Sequence, residues 1–251
     1  MTSQTILKRL DFAELRTACS ACSLRELCLP IGLDPAEVAR LDALIERRRS
    51  LRRGDYLFRA GAPFQSLYAV RTGFLKSYVL HEDGREQVTG FHMMGEIVGM
   101  DAISSDAHAC DAIALEDTEI CEIPFARLEE LSRDMPTLQR HLHKIMSREI
   151  VRDHGVMLLL GSMKAEERLA AFLLNLSQRY AARGYSPTSF HLRMTREEIG
   201  SYLGLKLETV SRAFSRFQED GLVTVHNKDI ELKDTGALKR LIGERTNCPR
   251  H

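Results

Sequence analysis

Residues Met194–Arg212 read MTREEIGSYLGLKLETVSR, a stretch that predicts two short helices joined by a tight turn. Thr195, followed three residues later by Glu198, forms a capping box that opens a helix over Arg196–Leu203. Gly204 ends this helix and permits the sharp turn between two crossing helices. The stretch therefore predicts a helix-turn-helix.

The second helix is predicted over 207–220, and Gly221 ends it. Glu208, Ser211 and Arg212 share one face of its first turns, which enter the major groove in helix-turn-helix proteins. Arg suits bidentate contact with guanine, Glu accepts from the cytosine amino group, and Ser serves a base or a phosphate. Four flanking residues are predicted to hold phosphates: Thr195, Arg196, Thr209 and Arg216.

A wing is predicted after this helix, with strands at Leu222–Val225 and Ile230–Leu232 around a turn at His226–Asp229. Two helices followed by a hairpin make a winged helix. Four apolar residues are predicted to form its small core: Ile199, Leu203, Val210 and Phe214. The alternative is a solvated helix pair with no role in DNA binding. The capping box, glycine turn, polar face and wing, taken in order, argue against it.

Short strand-like runs separated by glycines fill the chain between Leu51 and Phe125. The clearest runs are Tyr56–Phe58, Ser66–Val70, Phe74–Leu80 and Glu86–Phe91. Turn signals about every ten residues predict an antiparallel barrel or jelly roll. Asp83-Gly84 marks a hairpin between two of the runs.

A helix is predicted before these strands. Asp34 is its N-cap, Pro35 lies in its first turn, and Glu37 follows three residues after the cap. The helix is predicted to end in the basic run Arg47–Arg49.

A long helix is predicted from about Pro136 to Leu160. One narrow stripe recurs at spacings of three and four: Leu142, Met146, Ile150, Asp153, Met157 and Leu160. Such a seam favours pairing with a second helix over docking on the protein's own core. In a symmetric homodimer the two Asp153 carboxylates would meet and weaken the pairing, which makes the dimer switchable.

Together these elements predict an α+β chain in four regions. A Cys-rich segment covers 1–33, a sensory β-roll domain 34–134, a dimerisation helix 135–162 and a winged-helix DNA-binding domain 163–251. The net charge is zero, but residues 164–251 carry 15 Lys and Arg against 11 Asp and Glu, which suits a domain that faces DNA. No apolar run approaches the roughly 20 residues of a membrane span, and the N-terminus lacks a secretory pattern, so a cytoplasmic location is expected.

Three cysteines lie within ten residues as Cys19-x2-Cys22-x5-Cys28, a spacing that suits zinc or an iron–sulfur cluster. A fourth ligand must come from elsewhere, and spacing leaves open Cys110, Cys121, Cys248 or a histidine. Inert free thiols are the alternative. Spacing does not decide between zinc and iron.

The order of β-roll, long helix and winged helix resembles the cyclic-AMP receptor protein (CRP/FNR) superfamily. The local motifs are similar to those of its oxygen-sensing branch, the FNR-type fumarate and nitrate reduction regulators. The matching stretches are CSACSLRELCLP (Cys19–Pro30), SLYAVRTGFLKSY (Ser66–Tyr78), EQVTGFHMMGEIVGMDAI (Glu86–Ile103), CEIPF (Cys121–Phe125), AEERLAAFLLNLS (Ala165–Ser177) and MTREEIGSYLGLKLETVSR (Met194–Arg212). They extend over nearly the whole chain.

The resemblance implies four ligands of a four-iron four-sulfur (4Fe-4S) cluster: Cys19, Cys22, Cys28 and Cys121. Cys121 is the match because it opens CEIPF, whereas Cys110 and Cys248 have no counterpart among the ligands of this branch. In this branch the cluster favours a DNA-binding dimer without oxygen. Oxygen converts it to a two-iron form, the dimer loosens, and DNA binding is lost.

The resemblance also implies the partners. Asp153 matches the interface aspartate of the branch and Ile150 its hydrophobic neighbour. The recognition face is similar to an ETISR-type motif, with Val210 in place of isoleucine, and such faces read TTGAT half-sites in an inverted repeat. Contact with RNA polymerase is implied without assigned residues. The implied function is an oxygen-responsive transcription regulator, mainly an activator in low oxygen.

Three rival functions are weighed against this one. A cyclic-nucleotide receptor would pair Gly95-Glu96 with a later arginine, but Ser105–Cys110 contains none, so a cyclic phosphate would be buried unpaired. An enzyme is not expected, because no phosphate-binding glycine loop, nucleophile–base motif or dinucleotide fingerprint is present. A zinc-stabilised regulator without redox chemistry is the third.

Overall fold

The structure, a computed structural model, describes residues 19–45 and 47–243. Its N-terminal part contains the strands β1 (Arg47–Leu51), β2 (Tyr56–Phe58), β3 (Ser66–Thr72), β4 (Phe74–Leu80), β5 (Glu86–Met93), β6 (Ile97–Val98), β7 (Asp111–Ala114) and β8 (Thr118–Pro124). They form two four-stranded antiparallel sheets with the orders β1-β8-β3-β6 and β2-β7-β4-β5. The sheets do not close into a barrel, so the predicted antiparallel fold is confirmed in its jelly-roll form.

The β4–β5 hairpin shows how local signals direct this fold. Its ladder runs from Phe74 opposite Met93 to Leu80 opposite Glu86. Gly84 lies in the connecting turn with φ +81°, a backbone conformation that favours glycine, so the hairpin predicted at Asp83-Gly84 is confirmed.

The first helix, α1 (Pro35–Asp42), begins at the predicted capping box of Asp34 and Glu37. It ends before the basic run, so the prediction that it reaches Arg47–Arg49 is wrong. Those residues belong to β1, which pairs along its whole length with β8. Backbone pairing with a distant strand therefore overrides the local helical pattern.

Two helices, α2 (Phe125–Asp134) and α3 (Pro136–Ser162), follow the sheets, and α3 confirms the predicted long helix. The first half of α3 is packed on its own chain, where Leu138, Leu142 and Ile145 are buried. Its second half is open, and Ile150 and Met157 are 55% and 61% exposed.

The C-terminal part contains α4 (Ala165–Ala181), β9 (Ser189–His191), α5 (Arg196–Leu203), α6 (Leu207–Glu219), β10 (Val223–His226), β11 (Asp229–Leu232) and α7 (Thr235–Leu241). The helix-turn-helix and the wing are confirmed, although β10 begins and ends one residue later than predicted and β11 begins one residue earlier. The wing turn is Asn227-Lys228, and Asn227 has φ +55°. β9 completes a three-stranded sheet with β11, and its three residues are too few to show a strand period.

The two parts share one apolar cluster. Phe91 of β5 lies 6.1 Å from Phe172 of α4 and 5.3 Å from Tyr202 of α5, measured between ring centroids. The helix-turn-helix therefore rests on the β4–β5 hairpin of its own chain. Within the described ranges, no helix has the length and apolar character needed to span a bilayer.

Candidate nucleic-acid interface and candidate metal centre

The capping box positions the start of α5. The Thr195 amide donates to Glu198 Oε2 at 2.7 Å, and the Glu198 amide donates to Thr195 Oγ1 at 3.1 Å. Gly204 ends the helix in the left-handed region, with φ +62°. A β-carbon on Gly200 would lie 2.6 Å from the carbonyl oxygen of Leu205, so the turn between the helices can close only on glycine.

The predicted core between the helices is present. Ile199, Leu203 and Val210 are fully buried, and Phe214 is 1% exposed. Burial of these side chains leaves Glu208 and Arg212 exposed on α6, with Ser211 and Thr209 half-buried beside them. The structure thus brings the predicted base-reading residues together on one face.

Two of the predicted phosphate contacts already have partners within the chain. Arg196 places its guanidinium 5.3 Å from the ring centroid of Phe214. Arg216 pairs through Nη1 with Glu166 Oε1 at 2.8 Å, in an exposed ion pair that a phosphate could replace.

Sequence reasoning did not single out the wing tip as part of this interface. Thr195 and Arg196 line a groove together with Asn227 and Lys228 of the wing. Lys228 also donates to the carbonyl of Arg193 at 3.2 Å, which holds the wing against the segment before α5. Lys228, a basic residue in the predicted wing turn, was the sequence signal that could have pointed to a DNA contact there.

The four cysteines named by the resemblance surround a single cavity. Cys19, Cys22 and Cys28 come from the N-terminal loop, and Cys121 comes from the middle of β8. The other residues that line this cavity are mostly apolar. Of the candidates that spacing left open for a fourth ligand, the structure therefore brings Cys121 to the other three.

The remaining cysteines lie elsewhere. Cys110 Sγ donates to Asp101 Oδ2 at 3.6 Å, and it lines a different cavity between the sheets and α3. Cys248 lies outside the described residues.

The chemistry of the thiols suits a metal cluster. Burial raises the pKa of the Cys28 thiol to about 12, and the neighbouring Cys121 adds to the effect. Burial also raises the pKa values of Cys19 and Cys121. Burial therefore favours the protonated thiols, although Arg48 and Arg71 oppose the rise in pKa at Cys121. A bound metal centre would supply the positive charge that thiolates in this cavity require. No three acidic, histidine or cysteine side chains in the described ranges meet at a single metal-ion position; the four cysteines instead line one cavity.

The cysteine loop and α3 share one apolar core. Leu29 and Leu33 of the loop belong to the same buried cluster as Leu138 and Leu142 of α3, and Cys28 packs against this cluster. Order in the loop therefore bears directly on the helix predicted to form the dimer.

The predicted interface stripe divides at the middle of α3. Leu142 is 8% exposed, and Met146 packs against the same core. Asp153, like Ile150 and Met157, is exposed, and Leu160 is half-buried. The structure thus leaves the C-terminal half of the stripe free in the single chain.

A jelly roll, a long helix and a winged helix-turn-helix with a polar recognition face define a DNA-binding transcription regulator. Residues 48–134 match the cyclic nucleotide-binding domain family, and residues 167–241 match the Crp-like helix-turn-helix domain family. The chain belongs to the CRP/FNR family of regulators, and it is not an enzyme.

Its relatives extend over almost the whole chain. The transcriptional regulatory protein btr of Bordetella pertussis is 48% identical over 95% of this chain and 99% of its own length. The fumarate and nitrate reduction regulatory protein of Escherichia coli K12 is 46% identical over 96% of this chain and 97% of its own length. The structure of FixK2 from Bradyrhizobium japonicum is similar with a TM-score of 0.72 and 33% identity, over 78% of this chain and 96% of that one.

Proposed function

We propose that this regulator responds to oxygen through a 4Fe-4S cluster held by Cys19, Cys22, Cys28 and Cys121. The observation that carries the proposal is that these four cysteines, three from the N-terminal loop and one from β8, line the same mostly apolar cavity. The names of the E. coli and Salmonella relatives, fumarate and nitrate reduction regulatory protein, support it. The cluster would supply a reaction with oxygen that the side chains alone do not provide: it would be stable under anaerobic conditions and would be converted to another form by oxygen.

The chain's own residues connect this centre to α3. Ligation would order the cysteine loop, whose Leu29 and Leu33 then pack firmly on Leu138 and Leu142. Packing at the first half of α3 holds its second half in place for pairing with a second copy. Asp153 opposes that pairing, so the dimer depends on the order of the loop.

In the proposed dimer, two α6 helices read half-sites about 34 Å apart, one turn of DNA. Glu208, Ser211 and Arg212 make the base contacts in a TTGAT-type inverted repeat, and the flanking residues Thr195, Arg196, Thr209 and Arg216 hold phosphates. The regulator acts in the cytoplasm, mainly as an activator in low oxygen, through contact with RNA polymerase. It does not depend on a cyclic nucleotide.

The test compares two cysteine variants of the full chain, reconstituted with iron and sulfide in an anaerobic chamber. Cys121→Ser should lose iron, visible absorbance and binding to the inverted TTGAT repeat. Cys110→Ser is the matched control, because this cysteine is also half-buried in the β-roll but lies away from the cavity. Wild-type protein and the control should bind iron, bind the repeat, and lose that binding in air.

Two results would contradict the proposal. If the iron-free protein binds the repeat equally well in air and under anaerobic conditions, the proposed oxygen response is contradicted. A colourless protein that contains zinc, bound by the same cysteines, would favour the zinc-stabilised regulator.

A further inference from the structure

One half-buried carboxylate connects the β-roll to the DNA-reading domain. Glu96 lies in the turn between β5 and β6, and its side chain is 16% exposed. Its Oε2 accepts from Arg179 Nη2 at 2.7 Å, and its Oε1 accepts from Arg183 Nη2 at 2.7 Å and from Arg179 Nε at 3.1 Å. Arg179 lies in the last turn of α4, and Arg183 lies two residues beyond its end.

The same two arginines also bind backbone carbonyls of β5 and of this turn. Arg179 Nη2 donates to the carbonyl of Phe91 at 2.7 Å, and Arg183 Nε donates to the carbonyl of Met94 at 2.6 Å. Although burial opposes ionisation, the two guanidinium groups lower the pKa of Glu96 to about 2. A cyclic-nucleotide receptor would use this Gly-Glu pair in its pocket, a function that the sequence argued against; in the structure Glu96 binds the two arginines of the α4 end.

A second polar contact lies on the other side of the shared aromatic cluster. Ser201 Oγ donates to the carbonyl of Glu86 at 2.7 Å and accepts from the amide of Val88 at 2.9 Å. Lys76, 8% exposed, pairs with Glu198 Oε1 at 3.1 Å, so the capping residue of α5 is also bound to the β-roll.

The covalent connection between the parts does not by itself determine their angle. α3 and α4 are joined through Met163 and Lys164, both in extended backbone. Arg168 donates to the carbonyls of Leu160 and Leu203 and so anchors α4 at this pivot. Arg183 lies 15 residues after Arg168, about 22 Å away along the direction of α4. A bond this far from the pivot restricts rotation of α4 more than a bond close to it.

We propose that Glu96 is a positioning residue that holds α4, and with it α6, at one angle to the β-roll. In the dimer proposed above, on which this inference rests, that angle sets the half-site spacing that the two recognition helices read. The shared apolar cluster and the contacts of Ser201 and Lys76 near α5 would remain. Loss of the Glu96 bonds should therefore loosen the far end of α4, widen the range of angles that the DNA-reading domain adopts and so relax the spacing requirement.

The test measures binding of the anaerobically reconstituted full chain to three inverted repeats. Their half-sites are separated by the native spacing, by one base pair more or by one base pair less. One base pair turns the second half-site by about 34°. Wild-type protein should lose roughly 100-fold in affinity on either change, whereas Glu96→Gln should lose less than about 10-fold. Asp134→Asn, which breaks an exposed pair with Arg40 inside the β-roll unit, is the control and should behave as wild type.

A Glu96→Gln protein that dimerises and discriminates spacing as sharply as wild type would overturn the inference. If this variant does not fold, Arg183→Met is the alternative: it removes one of the two arginines that bind Glu96, so it should relax the spacing requirement in the same direction but less than Glu96→Gln. Sedimentation velocity should show unchanged dimerisation in either variant, since neither residue lies on α3. Failure of wild-type protein to bind any repeat would instead contradict the proposed function.

Discussion

The open half of α3 allows the proposed dimer to be tested quantitatively. Met157 is 61% exposed in the single chain and lies on the predicted stripe. Full burial of a methionine side chain contributes about 1.5–3 kcal/mol, so two symmetric copies, each with 61% left to bury, contribute about 2–4 kcal/mol to a dimer. Alanine retains roughly a third of this, so Met157→Ala should cost about 1–2.5 kcal/mol, which weakens the dimer about 5- to 60-fold.

Leu158→Ala is the matched control for this prediction. Leu158 is 66% exposed, slightly more than Met157, but it lies about 100° further round the helix axis and off the stripe. Sedimentation equilibrium of the anaerobically reconstituted proteins gives the dimer Kd of each. An effect of Leu158→Ala equal to or larger than that of Met157→Ala would refute the assignment of this face.

Further predictions concern the oxygen dependence of the dimer, base recognition by α6, the helix-turn-helix turn and stability in acid. Asp153→Ala should bind the inverted repeat in air, because it removes the carboxylate repulsion that makes the dimer depend on the cysteine loop; strictly oxygen-dependent binding in a gel-shift assay would contradict this. Arg212→Ala should relax discrimination at one base pair of the half-site at a cost of about 1–3 kcal/mol, measured by anisotropy on single-base variants. Gly200→Ala should destabilise the fold by about 1–3 kcal/mol in urea, because the added carbon meets backbone at 2.6 Å, whereas Gly155→Ala on open α3 surface should not. The folded pKa of Glu96 is lowered to about 2, so its stabilising contribution is complete above the pKa of an unfolded glutamate, about 4.3, and disappears as pH falls toward 2. Acid titration by circular dichroism should therefore show a smaller loss of stability in this window for Glu96→Gln than for wild type.

Elements with strong local signals were predictable in detail. α5 runs over Arg196–Leu203 as the capping box and Gly204 predict, and α3 runs two residues past its predicted end. The β4 strand also has its predicted bounds, Phe74–Leu80. In each case the start and end signals lie within a few residues of the element, so no distant contact is needed to read them.

Elements formed by distant partners were not predictable in this way. The basic run at Arg47–Arg49 continues a helical pattern, but its pairing with β8, some seventy residues away, makes it a strand. The short strand β9 forms because β11 lies beside it. The double use of Glu198, which caps α5 and pairs with Lys76, was likewise visible only in three dimensions.

The same division applies to the candidate sites. The sequence by itself determined which side chains are available: three closely spaced thiols, a polar recognition face and an apolar stripe interrupted by Asp153. Cysteine spacing alone left the fourth thiol open; the resemblance named Cys121, and the tertiary structure is what brings Cys121 rather than Cys110 to the other three thiols. Only the tertiary structure showed that Glu96 binds two arginines of α4. Composition and spacing are properties of neighbours along the chain, whereas a binding site depends on residues that folding brings together from distant positions.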